Sequence, residues 1–243
     1  MRQGKNGQIR GTLKRRLMTN FLLTALIPVL IFAIISQINI QKRLKENLSD
    51  RIKSNLDTAE KNLEMVLDKY ETILYDFSTD EDVLEIVRAL NESRGDRESN
   101  STSLRKKLSH ICNQFTGVEG ITIQLKTGEI IYYESLSSFS GNETWADKVE
   151  IPKIERGAVY FGDGKPVKIA DKNHYMFYIA RNITDYRIIE NFQGTVVLSV
   201  NEERIRGAIA SDIGSREYLL SDDVIVSAPD PNKIGKKLSE IQN

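Results

Sequence analysis

Residues 120–134, GITIQLKTGEIIYYE, contain two runs of strand-forming residues on either side of the turn sequence Lys126-Thr-Gly-Glu. Apolar and polar residues alternate in the first run, which places successive side chains on opposite faces of a strand. Gly128 supplies the positive φ that tight hairpin turns favour. This stretch therefore predicts an antiparallel β-hairpin, and it marks the point where the chain changes from helical to strand periodicity.

Strand-forming segments continue downstream of the hairpin. They are residues 158–162, 174–181, 194–200, 218–221 and 224–227. The run GTVVLSV at 194–200 is the strongest of them. A turn is predicted at 163–166, and a short helix at 202–210 with Asn201 as its cap. Short strands joined by tight turns favour antiparallel pairing, so residues 118–200 should form one sheet of about five strands.

Residues 42–77 have helical periodicity and contain neither glycine nor proline. Their apolar residues recur with the alternating spacings of four and three that define an a/d heptad seam. The seam consists of Ile52, Leu56, Ala59, Leu63, Val66, Tyr70, Ile73 and Phe77. Two interpretations stay open. The segment is either a stalk that pairs with a second chain as a parallel dimer, or an amphipathic helix that packs on its own domain.

Two more helices should precede the first strand. Ser78-Thr-Asp-Glu has the form of a capping box, which predicts a helix that starts at Ser78. The polar residues 91–103 predict a loop, and helical spacing returns at 103–115, where Cys112 lies on the apolar face. Helices followed by an antiparallel sheet predict an α+β fold with the helices on one side of the sheet.

The N-terminal region has the features of a membrane anchor. Residues 17–41 contain no charged residue and are long enough to cross a hydrocarbon core as a helix. A cleaved signal peptide would have a shorter apolar core and a small-residue cleavage site, and a buried soluble helix would hardly carry a basic flank, so an uncleaved transmembrane helix is favoured. Basic residues are nearly balanced on the two sides of the span. Because residues 1–16 are too short to form a domain, we expect the body to lie outside the cytoplasm.

Composition excludes several functional classes. Residues 1–16 hold six basic residues, and the rest of the chain has 28 basic and 34 acidic residues, a net charge of −6 that argues against nucleic-acid binding. One cysteine and two histidines argue against a disulfide framework and a cysteine- or histidine-rich metal site. Phosphate-loop and hydrolase motifs are absent, and the sequences S-x-x-K at Ser103 and K-T-G at Lys126 lie too close together for a penicillin-binding enzyme. We therefore expect no catalytic residues, no metal and no cofactor.

Two stretches resemble a known family of sensors. Residues 217–238, EYLLSDDVIVSAPDPNKIGKKL, are similar to the Cache pattern of strand, acidic turn and strand followed by I-G-k-x-L. Residues 194–205, GTVVLSVNEERI, resemble the strand and helix that connect two Cache lobes. With its order of span, long helix and sheet, the chain resembles the N-terminal portion of the double Cache, PAS-like extracytoplasmic region of YesM-type bacterial sensor histidine kinases.

This resemblance implies a membrane-anchored, ligand-sensing region of a two-component signal-transduction receptor in the cytoplasmic membrane. The implied divisions are a cytoplasmic tail at 1–16, a transmembrane helix at 17–41, a stalk helix at 42–77, a first Cache lobe at 78–200, and a connecting helix with the start of a second lobe at 201–243. The implied partners are a small-molecule ligand or a solute-binding protein, the lipid bilayer, and a second copy of the chain through the stalk helix.

The chain contains no kinase module, so no enzymatic activity is expected of it. Several other outputs therefore stay open. The region could serve as the input module of a chemoreceptor or of a cyclic-di-nucleotide enzyme. It could also be a membrane-anchored adaptor that binds a protein without signalling.

The resemblance also implies a ligand site between the sheet and its overlying loops. Alternation along residues 174–181 puts Tyr178 on one face of this strand and Arg181 on the other. Arg181 is suited to bind a carboxylate through two hydrogen bonds, Asp185 to bind an amine, and aromatic rings to form the walls. The candidate ligand-binding residues are Trp145, Tyr160, Tyr178, Arg181 and Asp185. In the alternative interpretation, Arg181 and Asp185 form a surface ion pair and the tyrosines fill the core.

Overall fold

The computed structural model describes residues 6–136, 149–155, 157–169, 172–187, 191–210 and 217–241. The chain divides into two units between Asp57 and Thr58. Helix α1, Asn6–Thr79, contributes to both units.

The first unit is helical over its described residues. Pro28 lies within α1 without ending it, as membrane helices tolerate. The side chains of residues 17–41 are almost all exposed, although most are apolar. Of the helices described, α1 alone is long and apolar enough to cross a membrane. The predicted helix at 17–41 is therefore present, with the exposed apolar surface that a lipid-facing helix requires.

The second unit contains one antiparallel sheet of five strands. They are β1 (Val118–Leu125), β2 (Ile130–Glu134), β3 (Val159–Ile169), β4 (Lys172–Asp185) and β5 (Asn191–Asn201). Their order across the sheet is β2-β1-β5-β4-β3, so β5 is central. All residues of β5 from Gln193 to Val200 are buried, because this strand is covered on both faces. The predicted α+β fold with a five-stranded antiparallel sheet is confirmed.

Helices cover one face of this sheet. Helix α2 (Glu81–Asn91), helix α3 (Arg97–Gln114) and the C-terminal part of α1 share a core with the strands. The helical core residues are Tyr70, Ile73, Leu74, Phe77, Val83, Leu84, Val87, Leu90, Leu104, Leu108 and Cys112. They meet apolar strand residues such as Ile121, Ile179 and Leu198. Each large side chain buried here contributes roughly 1.5–3 kcal/mol to folding.

The two halves of the heptad seam have different environments. Leu63 and Val66 pack against the core of the second unit, and Tyr70, Ile73 and Phe77 belong to it. Ile52 and Leu56 are 52% and 58% exposed. Packing on its own domain is thus confirmed for the C-terminal half of the seam. Pairing of two chains through the N-terminal half stays a prediction.

The start of α2 differs from the prediction. Asp80 is the N-cap, and its Oδ1 accepts a hydrogen bond from the backbone N–H of Val83 at 2.8 Å. The Ser78 hydroxyl instead donates to the Tyr75 carbonyl oxygen at 3.0 Å. Serine and aspartate are both good N-cap residues. Because the Ser78 hydroxyl bonds to a carbonyl of α1 instead, α1 continues through Thr79 and Asp80 caps α2.

The start of α3 also differs. The sequence predicts a loop at 91–103, but α3 begins at Arg97. Asp96 is its N-cap and accepts a hydrogen bond from the backbone N–H of Glu98 at 3.1 Å. The first turns of α3 are polar because they face solvent, which is why the sequence lacks apolar periodicity there.

The predicted turn at 163–166 is wrong, because β3 runs through it as a continuous strand. The pairing with β4 shifts between Gly162 and Lys165. The residues that suggested a turn are therefore accommodated as an irregularity in the ladder.

The C-terminal elements agree with the sequence prediction. Asn201 caps helix α4 (Glu202–Ile209) by accepting the backbone N–H of Glu203 at 2.9 Å. Strands β6 (Leu219–Ser221) and β7 (Val224–Ser227) form the last hairpin. Two short 3-10 turns follow, Pro231–Lys233 and Leu238–Glu240. The assignment of residues 201–243 to the start of a second lobe stays a prediction.

Candidate functional site

The two faces of β4 have different surroundings. Ile179 and Ile183 belong to the core that the helices cover. Met176, Tyr178 and Ala180 belong to a second apolar cluster on the opposite face. The alternation that the sequence predicts for this strand is thus present, and it creates a second buried surface away from the helices.

We call this second surface the loop-covered face; its strand residues include Thr122, Tyr160, Met176, Tyr178, Ala180, Thr195, Val197 and Ser199. Residues 149–155 cover it, and Val149, Ile151 and Ile154 pack against its apolar cluster. The side-chain amide of Asn182 donates to the Ile154 carbonyl oxygen at 3.0 Å, which fastens this segment to the sheet.

Three buried hydroxyls form the polar centre of the loop-covered face. They belong to Thr122 on β1, Ser199 on β5 and Tyr178 on β4, and we call them the hydroxyl row. Ser199 lies directly opposite Tyr178 in the ladder, and Thr122 pairs with Val197, one step diagonally from Ser199. Cross-strand neighbours of this kind have side chains about 5–8 Å apart, so one small molecule can reach all three.

None of the three hydroxyls has a hydrogen-bond partner among the residues that the structure describes. A buried hydroxyl without a partner costs roughly 1–3 kcal/mol, so folded proteins rarely keep one without a purpose. Thr195, on the same face, shows the ordinary arrangement, because its hydroxyl bonds to Asn182 Oδ1 at 3.1 Å. The hydroxyl row is therefore the strongest candidate for a binding surface.

Ser199 and Tyr178 share a cross-strand row with two glycines and, at one end, a glutamate. Gly120 and Gly162 flank Ser199 and Tyr178 in the same cross-strand row. A Cβ at Gly162 would lie 2.8 Å from Cε1 of Tyr160, so a larger residue there would displace this partly exposed ring. Glu134, opposite Gly120 on β2, has a buried Oε2 with no partner in the described part of the chain.

Electrostatics keep the Tyr178 hydroxyl protonated. Burial, and secondarily the negative charge of Glu150, raises the pKa of Tyr178 to about 12. The phenol is therefore neutral at physiological pH and available as a hydrogen-bond donor.

Arg181 lies on the opposite face from the hydroxyl row. It is 8% exposed, and its guanidinium carbon lies 5.0 Å from the centroid of the Tyr75 ring of α1, a cation–π contact. The strand alternation that puts Tyr178 among the loops necessarily turns Arg181 toward the helices. Arg181 and Tyr178 therefore do not line one surface.

Asp185 is fully buried and is held by arginines. It forms ion pairs with Arg88 of α2 and with Arg187, the latter with 3.1 Å between Nε and Oδ1. The alternative interpretation, a surface ion pair of Arg181 and Asp185, is wrong, because both residues are buried and the described ion pairs of Asp185 are with Arg88 and Arg187. Its carboxylate thus joins α2 to the end of β4.

The remaining candidate residues divide as follows. Tyr160 pairs with Ala180, lies on the loop-covered face and is 41% exposed, so the structure brings it together with Tyr178. Trp145 lies outside the described residues. The ligand-binding role of all five candidates stays a prediction.

Sequence reasoning missed Thr122 and Ser199. Ser199 interrupts the apolar run 194–200, where a polar side chain on a central strand is unusual. Thr122 is a regular polar member of the alternating run 120–125, so its burial carries no such signal in the sequence. The sequence therefore carries a signal for Ser199 alone. Their missing partners become evident only when the strands are paired.

A groove of about 520 Å³ lies on the other side of the sheet, between α1, α2 and α3. Its floor is formed by apolar side chains that include Ile73, Phe77 and Ile111, and its rim by residues such as Lys106 and His110. No polar side-chain atom of this groove is both buried and unpartnered within the described chain. The described residues also contain no cluster of histidine, cysteine, aspartate and glutamate able to hold a metal ion.

Comparison with solved structures identifies the fold. The ligand-binding domain of the Pseudomonas fluorescens chemoreceptor CtaA in complex with L-serine is 14% identical, with a TM-score of 0.52 over 81% of this chain and 78% of that one. The sensor domain of the V. cholerae histidine kinase DctB is 14% identical, with a TM-score of 0.53 over 78% and 69%. The ligand-binding domain of the Pseudomonas aeruginosa chemoreceptor PctB in complex with L-arginine is 14% identical, with a TM-score of 0.51 over 81% and 77%.

These neighbours are Cache/PAS-like sensor domains, and at such low identity the likeness shows a shared fold. No protein-family model matches the sequence, and no curated protein matches it.

Proposed function

We propose that this chain is the membrane-anchored, extracytoplasmic ligand-sensing region of a bacterial signal-transduction receptor. The observation that carries the proposal is the hydroxyl row, three buried and unpartnered hydroxyls on the loop-covered face of a PAS-like sheet. A small molecule bound there would supply the hydrogen bonds that the described residues do not.

The output that we propose is a two-component histidine kinase of the YesM type with a double Cache sensor. The resemblance of residues 217–238 to the Cache pattern supports it, as does the likeness to the DctB sensor domain. The likeness to CtaA and PctB favours a chemoreceptor as the second candidate. In either case, ligand binding would bias a two-state signal, for which a coupling of about 1–3 kcal/mol is sufficient.

The proposed location is the cytoplasmic membrane, with α1 as the anchor. Its exposed apolar stretch and basic N-terminal flank support this. Full-length protein should sediment with membranes and resist carbonate extraction, and deletion of residues 1–40 should release the remainder into the soluble fraction. Recovery of the intact full-length protein as a soluble species would contradict the anchor.

The site itself is tested with two matched threonine substitutions in the full-length protein. Thr122→Val removes a hydroxyl that has no described partner, so the free energy of unfolding should stay unchanged or rise by up to about 2 kcal/mol. Thr195→Val removes the bond to Asn182 and should lower the free energy of unfolding by about 1 kcal/mol. Urea denaturation followed by circular dichroism measures both changes.

A ligand screen completes the test. Small molecules that raise the melting temperature of the wild type should lose this effect in Thr122→Val and keep it in Thr195→Val. If Thr122→Val destabilises the protein as much as Thr195→Val does, the Thr122 hydroxyl serves the fold and the proposed site is wrong.

A further inference from the structure

The hydroxyl row is closed to solvent in this structure. Thr122 and Ser199 are 0% exposed, and Tyr178 is 4% exposed. The helical core fills the opposite face of the sheet, so a ligand cannot reach the hydroxyls from that side. A molecule that bonds to these hydroxyls must therefore displace part of what covers the loop-covered face.

Residues 149–155 form one part of this cover, and we call them the strap. They adopt neither helix nor strand, and no ladder pairs them with the sheet within the described part of the chain. Val149, Ile151 and Ile154 of the strap pack on the apolar cluster of the loop-covered face. Strands β4 and β5 beneath them are instead held by backbone pairing with each other. The strap can therefore move away from the sheet without breaking a ladder.

Asn182 makes a polar connection between the strap and the sheet. Its side-chain amide nitrogen donates to the Ile154 carbonyl oxygen at 3.0 Å, and its Oδ1 accepts a hydrogen bond from the Thr195 hydroxyl at 3.1 Å. Thr195 lies directly opposite Asn182 in the ladder between β4 and β5. The bond to Thr195 fixes the orientation of the amide, so its donor points at the strap.

The position of Asn182 separates this role from ligand contact. Asn182 lies four residues after Tyr178 on β4, which is about 13 Å along the strand. Both side chains are on the loop-covered face, two cross-strand rows apart, with Ala180 between them. A small ligand at the hydroxyl row does not need to touch Asn182, which is therefore a positioning residue for the strap.

We propose that the strap controls access to the hydroxyl row, and that the hydrogen bond from Asn182 to Ile154 holds it closed. This inference rests on the proposed sensor function, because it specifies how the same site is entered. When the bond breaks, the apolar side chains of the strap leave the sheet and the buried hydroxyls become accessible. Segments that are held by few contacts open locally in this way while the rest of the fold stays intact.

Thiol labelling measures this opening without a known ligand. Ser199→Cys places a thiol beneath the strap, and the native Cys112, buried on the helical side, reports opening of the rest of the fold. Full-length protein in detergent is treated with iodoacetamide, and mass spectrometry gives the labelling rate of each thiol. When Asn182→Ala is added, the rate at position 199 should rise about threefold to tenfold, the effect of one lost hydrogen bond. The rate at Cys112 should not change.

Two further variants and a second reporter complete the test. Asn182→Asp keeps the acceptor for Thr195 but has no amide donor, so it should also accelerate labelling at position 199. Asn100→Ala is the matched control, because the Asn100 amide also donates to a backbone carbonyl, that of Arg94 at 3.2 Å, but lies on α3. It should leave the labelling rate at position 199 unchanged. Thr122→Cys replaces Ser199→Cys as the reporter if the latter variant does not fold.

The outcomes separate this inference from the proposed function. A faster rate at position 199 alone supports control by the strap. Equal rates in Asn182→Ala and Asn100→Ala, or a rise that Cys112 shares, would overturn it. Labelling of position 199 as fast as in urea-unfolded protein would also overturn it, because the face would then be uncovered. Failure of the proposed function would appear elsewhere, as a loss of stability in Thr122→Val.

Discussion

Replacing Asp185 with alanine is expected to lower the free energy of unfolding of the full-length protein by about 3–5 kcal/mol. The Asp185 carboxylate is fully buried and pairs with Arg88 and Arg187. The Arg88 side chain is only 24% exposed, so removal of its partner leaves a guanidinium that is largely shielded from water and uncompensated. Urea unfolding measures the loss.

Glu203→Ala is the matched control for this change. Glu203 also pairs with an arginine, Arg206, at 3.7 Å, but its side chain is 72% exposed. An exposed pair contributes at most about 1 kcal/mol, so this variant should be close to wild type. If Asp185→Ala is as stable as Glu203→Ala, the carboxylate is not needed by the fold. A role in ligand binding, as the sequence suggested, would then be the better explanation of its burial.

The sheet could be predicted because its signals are local. The alternating run at 120–125 and its turn define β1, and the continuous apolar run at 194–200 is typical of a strand covered on both faces. Asn201 also marks the start of α4, since a cap bonds within its own first turn.

The errors occurred where a local signal competed with packing. Residues 163–166 have the composition of a turn, but the ladder with β4 holds them in β3. Residues 97–103 are polar because they form the exposed surface of α3, whose buried side is supplied by later residues such as Leu104 and Leu108. Neither outcome can be read from the local sequence.

The candidate site was less predictable than the fold. Alternation placed Tyr178 and Arg181 correctly on opposite faces of β4, but it could not say which face the helices cover. Asp185 pairs with its neighbour Arg187 and with Arg88, which comes from a helix far away in sequence. Thr122 and Ser199 become candidates because their buried hydroxyls lack a hydrogen-bond partner in the described residues. This can be seen only once the strands are paired in the sheet.

Replacing Gly194 with alanine is the second change with a large expected effect. Gly194 lies on the central strand β5, opposite Leu125 of β1 and Ile183 of β4. An added Cβ would lie 2.4 Å from the Gln124 carbonyl oxygen and 3.3 Å from the Leu125 Cα. Because these are backbone atoms, no side-chain rotation relieves the clash, and β1 and β5 must separate.

We expect Gly194→Ala to lower the free energy of unfolding by about 3 kcal/mol, the upper part of the range for overpacking. The same displacement would alter the spacing of Thr122 on β1 and Ser199 on β5, so ligand-induced stabilisation should weaken as well. Gly207→Ala is the control, because a Cβ there meets no atom within 4 Å and alanine favours a helix. That variant should be neutral or more stable by up to about 1 kcal/mol. Equal stability of the two variants in urea would show that β1 and β5 can move apart at little cost in free energy. The close approach at Gly194 would then not determine how the residues of the hydroxyl row are aligned.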